Sequence, residues 1–73
     1  MHLGECLLDQ DVVVVTVDLP QEFRLRMYEI GVCVGALVRI THRGPSDGRV
    51  VAIGGARLAI DARTAAAIEV QPE

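Results

Sequence analysis

The chain has 73 residues, 51% of them apolar and 23% charged, with a net charge of −3. That length allows one small domain with a thin core and excludes a second, while the apolar content excludes compositional disorder. All seven cations are Arg and the only aromatics are Phe23 and Tyr28, so Lys chemistry is absent and the basic, aromatic-rich surface of a nucleic-acid binder is missing.

The longest uncharged apolar run, residues 12–17, falls far short of the ~20 residues that cross a bilayer. The first residues lack the basic flank and apolar core of an export signal, which points to a cytoplasmic protein that is not membrane-embedded. Met1 and His2 are expected to fray as a terminus does. Cys6 and Cys33 form no CxxC knuckle and read first as structural thiols, with a bridge or a metal role as the alternatives. Asp9 and Asp11, two residues apart, would share one side of an extended chain and could weakly hold a hard cation.

Residues 12–17 are β-branched throughout and predict a first strand buried on both faces. Pro20 and Glu22 then suit a helix start, and Gly31 followed by Val32 suits a left-handed C-terminal cap, so a helix is predicted over residues 20–30. At ~100° per residue Phe23, Met27 and Ile30 share one face, the expected core stripe. Leu25 and Tyr28 fall on the other side, where they either pack beneath a neighbouring loop or form a contact surface. Glu22 and Arg26 have the i,i+4 spacing of a helix-surface ion pair.

Beyond Gly35 the period becomes two. Val38, Ile40 and His42 are expected on the apolar face of a second strand, with His42 a satisfied histidine at its end. Residues 44–48 are dense turn chemistry, residues 49–53 resume a strand, and Gly54-Gly55 predicts a hairpin into a further strand with Leu58 and Ile60 inward. Asp61 is a natural N-cap for a short helical turn over residues 62–67, and residues 68–70 close the chain as a strand. The dispersed Arg residues read as solvated. The whole predicts a mainly β protein, a small SH3-like barrel of about five strands with one inserted helix and a short C-terminal helical turn.

No HExxH, P-loop, GxGxxG or GxSxG pattern occurs, and the two His are forty positions apart, so no catalytic residues are expected and an enzyme is not indicated.

The segment Arg26-Met27-Tyr28-Glu29-Ile30-Gly31 is followed by Gly35, Val38 and Pro45, then by Gly55, Leu58, Ala59 and Ile60, and finally by Ala67, Ile68 and Val70. These residues resemble the FeoA family of bacterial ferrous iron uptake, over residues 12–70. Met27 and Ile30 replace Leu of the family pattern, Val34 stands where the family tends to place Pro, and Gln10-Asp11 stands in place of a Gly. The resemblance implies a small cytosolic accessory protein of the membrane transporter FeoB, contacting its GTP-binding region. Leu25 and Tyr28, rimmed by Arg24 and Glu29, are the expected partner-binding patch. No cofactor is expected, and homo-oligomers remain open because a small barrel has exposed edges. Two alternatives stand beside this reading. One is a metal-binding or iron-delivery protein holding Fe2+ or Zn2+; the other is a standalone relative of the SH3-like domain of iron-dependent repressors.

Overall fold

The computed structural model describes all 73 residues. Strands β1 (Asp11–Val17), β2 (Leu37–Arg43), β3 (Arg49–Ile53), β4 (Ala56–Ile60) and β5 (Ile68–Pro72) form one antiparallel sheet in the order β4-β3-β2-β1-β5. Helix α1 (Gln21–Glu29) joins β1 to β2, and α2 (Ala62–Ala66) joins β4 to β5. A short 3-10 turn occupies Leu3–Glu5, and Pro45–Asp47 form a tight turn in which Ser46 and Asp47 take positive φ. Register shifts lie between Val14 and Thr16 in β1 and between Ile40 and His42 in β2. An extra residue in one strand bends it and increases its twist, which curls the meander into the expected SH3-like barrel.

The local signals in the sequence explain the element ends. Gly31 has φ +101° and completes a Schellman cap: Val32 N–H donates to Met27 O (2.8 Å) and Gly31 N–H to Tyr28 O (3.0 Å). The Asp61 carboxylate accepts from Thr64 N–H (3.0 Å), the predicted N-cap. Gly54 takes positive φ at the β3–β4 hairpin.

The core comprises the inward faces of the strands, Val32, Ala65 and two N-terminal residues, Leu3 and Cys6. Helix α1 contributes nothing fully buried to it. Phe23 and Ile30, expected in the core, are 45% and 48% exposed, and only Met27 packs against the cluster. The strand side chains, Leu3 and Cys6 already fill the interior, so the helix rides on the rim and touches it at one point. Strand β1 is buried on one face only: Val12 and Val14 point inward, whereas Val15 is exposed, because no layer covers the outer face. The β2 bulge explains His42, which is exposed rather than on the apolar face; the irregularity after Ile40 breaks the alternation, and its ring meets Thr41 Oγ1 at 3.1 Å.

The N-terminus, expected to fray, is tied to β5. The Met1 ammonium lies 3.4 Å from Glu69 Oε2, Val70 N–H donates to Met1 O (2.8 Å), and His2 pairs with Glu69 as an isolated bridge. His2 caps its turn by accepting from Gly4 N–H at Nδ1 (3.1 Å), while its own N–H donates to Glu5 Oε1 (2.9 Å). That last bond is the chief reason the Glu5 carboxyl sits below the ordinary range.

Arg49 departs from the solvated reading of the arginines. It is 4% exposed, and its Nη1 donates to Asp47 O (2.6 Å), Asp47 Oδ1 (3.0 Å) and Gly48 O (3.0 Å), while Nη2 donates to Gly4 O (2.7 Å). One buried side chain thus ties the N-terminal turn to the β2–β3 loop. Gly48 sits close beside it: a Cβ there would lie 3.0 Å from Ile60 O, so a side chain would have to push the β4 backbone aside.

Candidate functional site

Helix α1 leaves β1 at one end of the sheet and returns through residues 32–34 to β2, so the two connected segments diverge and leave a groove between them. One wall is Val15, Thr16 and Val17 of β1; the other is Val32, Cys33 and Val34; Arg24 and Tyr28 of α1 complete the lining. The open volume is about 450 Å³. Arg24 and Tyr28 also line a shallower cleft of about 260 Å³ with Gln21 and Leu25 on their far side.

Of the four patch residues expected from the sequence, Arg24, Leu25 and Tyr28 come together around these two depressions, and Glu29 lines neither. Leu25 and Tyr28 are 55% and 67% exposed, so they form surface and do not pack beneath a loop. Sequence reasoning missed Val15 and Val34, both exposed, because valines in a β-branched run or after a helix cap read as core. Phe23 on the same helix and Ile30 at its C-cap enlarge the exposed apolar area.

The groove's charge is simple. Arg24 is the one charged residue in its lining, no carboxylate lines it, and Arg24 takes part in none of the ion pairs of the structure. Glu22 and Arg26 likewise do not pair. The carboxylates displaced from their ordinary range stand elsewhere. Asp11 is held low by a bidentate bond from Arg39 across β1 and β2 (2.7 and 2.9 Å), and Asp61 by its capping bonds to Thr64. Asp9 has φ +62° in a turn, so it does not form an extended carboxylate pair with Asp11.

Both cysteines are free. Burial pushes the Cys6 thiol up, whereas Cys33 is half-buried in the groove wall, its Sγ 3.8 Å from Gly31 O. No three or more His, Cys, Asp or Glu side chains come together as a metal-ligating group. The arrangement is an apolar slot with one cation, suited to recognition.

A family model for the FeoA domain matches residues 1–72. The chain belongs to the FeoA domain family. The match takes in the N-terminal turn that the resemblance read from residues 12–70 left out. The FeoA protein of Chlorobium tepidum has a solution structure that superposes with a TM-score of 0.90 at 25% identity, covering 99% of this chain and 70% of that one. The FeoA of Stenotrophomonas maltophilia, crystallised with zinc and described as a prokaryotic SH3-domain protein, is 32% identical with a TM-score of 0.79, covering 97% and 89%. The manganese regulator SloR shares the fold at 12% identity and a TM-score of 0.83, with 99% of this chain covering 34% of that one. A search of curated protein sequences gave no match. The FeoA family is a family of SH3-like domains associated with ferrous iron transport, and no helix of this chain is long and apolar enough to cross a membrane.

Proposed function

We propose that this protein is a non-catalytic cytoplasmic accessory of ferrous iron uptake that docks on the cytosolic GTP-binding region of the transporter FeoB. One observation carries the reading: α1 buries none of its residues, yet it exposes Phe23, Leu25 and Tyr28, with Ile30 at its C-cap, beside an apolar groove. An aqueous surface helix has no use for that many apolar side chains, and such a patch marks a protein contact. Tyr28 and Leu25 form its centre, with Arg24 and Glu29 at the rim, an arrangement in which a few large side chains carry most of the binding energy.

The test is capture of the transporter's purified GTP-binding fragment by this protein, with Leu25→Asp and Tyr28→Asp compared against the unaltered chain. Both positions are exposed, so the variants should fold with unchanged midpoints. The reading expects capture to fall at least tenfold, about 1.4 kcal/mol. Capture at the original level by both variants would remove the patch.

A further inference from the structure

The groove coincides with the place where β1 loses its strand partner on one side. The β1–β2 ladder pairs Asp11 with Arg39, Val12 with Val38 and Val13 with Leu37. Val14 then donates to Ala36 O (2.9 Å) and accepts from Gly35 N–H (2.8 Å), after which the segments part. Strand β1 runs on, paired from there with β5 alone through Thr16–Glu69 and Val17–Ile68.

The direction of the free edge follows from the next hydrogen bond. Asp18 N–H donates to Ala67 O (2.8 Å), on the β5 side. Alternation along an extended chain turns the N–H and C=O of Val17 the opposite way, toward the groove. Residues 15–17 run about 10 Å along this wall, at ~3.3 Å each; the same alternation turns Thr16 toward its partner Glu69 on β5, so the N–H and C=O of Val17 are the edge groups left facing the groove. The α1 helix and residues 32–34 flank this wall and shield the edge from another sheet. A helical ligand would satisfy its own backbone groups and leave this edge unpaired; an extended one would satisfy it. The second feature is charge: the molecule is net negative, yet the groove carries a lone, unpaired cation at Arg24.

We propose that the groove takes an extended apolar peptide segment bearing one carboxylate, which adds as a strand to the β1 edge at residues 15–17 while the carboxylate pairs with Arg24. Main-chain hydrogen bonds supply affinity, and the alternate side chains of the segment enter the space between Tyr28 and Val34. This deepens the docking reading and rests on it only for the protein that supplies the segment.

The probe is an acetylated, amidated peptide, Val-Thr-Val-Glu-Val, titrated into the 15N-labelled chain. The expected result is amide shifts at residues 15–17 and slowed hydrogen exchange at Val17 N–H. Methylating alternate peptide nitrogens of the probe should weaken binding at least tenfold. Replacing its Glu by Gln, or using Arg24→Gln protein, should each weaken it about fivefold, and the two together no more than either alone. No binding at millimolar probe, equal binding of the N-methylated probe, or unchanged exchange at Val17 would overturn strand addition. Measured alongside, the transporter fragment separates the two claims. If Leu25→Asp abolishes fragment capture while the probe leaves Val17 unprotected, docking stands and strand addition fails. If the probe behaves as expected and the fragment never binds, the strand site stands and the transporter is removed as its partner.

Discussion

Arg49 offers the sharpest test of what holds this small barrel together. Its guanidinium is 4% exposed and bonds to the backbone carbonyls of Gly4, Asp47 and Gly48, while Nε has no partner at all. Arg49→Met keeps much of the volume and removes every donor. Charged hydrogen bonds of this kind contribute ~1.5–3 kcal/mol each, offset here by relief of the unpaired buried Nε at ~1–3 kcal/mol and by water reaching the loop carbonyls. The net loss should be about 3 kcal/mol, against a total stability of roughly 4–11 kcal/mol for a chain this size. In thermal unfolding followed by far-UV circular dichroism, Tm should drop by about 12–24 °C. Asp47→Asn is the control. Asp47 is exposed, its ion pair to Arg49 is one contact among four, and Asn tolerates the φ of +63° at that position, so the cost should stay under about 1 kcal/mol. An Arg49→Met midpoint within a few degrees of the unaltered protein would refute the assignment of Arg49 as the tie between the N-terminal turn and the β2–β3 loop.

Three further outcomes follow from the packing and the charges. Phe23→Ala and Ile30→Ala should each cost under about 1 kcal/mol in urea unfolding, whereas Ile68→Ala should cost about 2–5 kcal/mol; equal losses would return α1 to the core. In the native protein a thiol reagent should modify Cys33 well before Cys6, whose thiol is buried and shifted up; faster labelling of Cys6 would mean that the N-terminal turn opens freely. Glu5, Asp11 and Asp61 all sit below their ordinary carboxyl range in the folded state. The unfolded chain therefore takes up their protons first as pH falls. Their stabilising contribution is present above the ordinary carboxyl range and lost as pH drops through the lowered folded values. Tm should decline below about pH 4.5, and less steeply in Asp61→Asn; an undiminished slope in that variant would count against the cap.

The strands, the hairpin and both helix ends were legible because each rests on local chemistry: a β-branched run, Gly54 at a turn, Gly31 and Asp61 at caps. The orientation of α1 was not. Phe23, Leu25, Met27, Tyr28 and Ile30 distribute apolar side chains around most of the helix, so periodicity alone names no face, and the interior it was expected to fill is occupied by Leu3, Cys6 and strand side chains. The N-terminal turn carries no periodic pattern, and the residue that anchors it, Arg49, reads as surface from its charge. The exposure of Leu25 and Tyr28 was visible, because they are apolar residues off the expected core stripe. The groove walls at Val15 and Val34 were hidden, since Val15 lies on a β1 face that no layer covers and Val34 in a segment that diverges from β1, and neither circumstance is encoded at those residues.

The α1 face and its groove are the proposed contact with the transporter. Titrating the transporter's GTP-binding fragment into the 15N-labelled chain and mapping amide perturbations would locate that contact residue by residue. The expected changes are confined to residues 15–17, 21–30 and 32–34. Changes centred on the β3–β4 hairpin or on α2, with the groove silent, would contradict this placement.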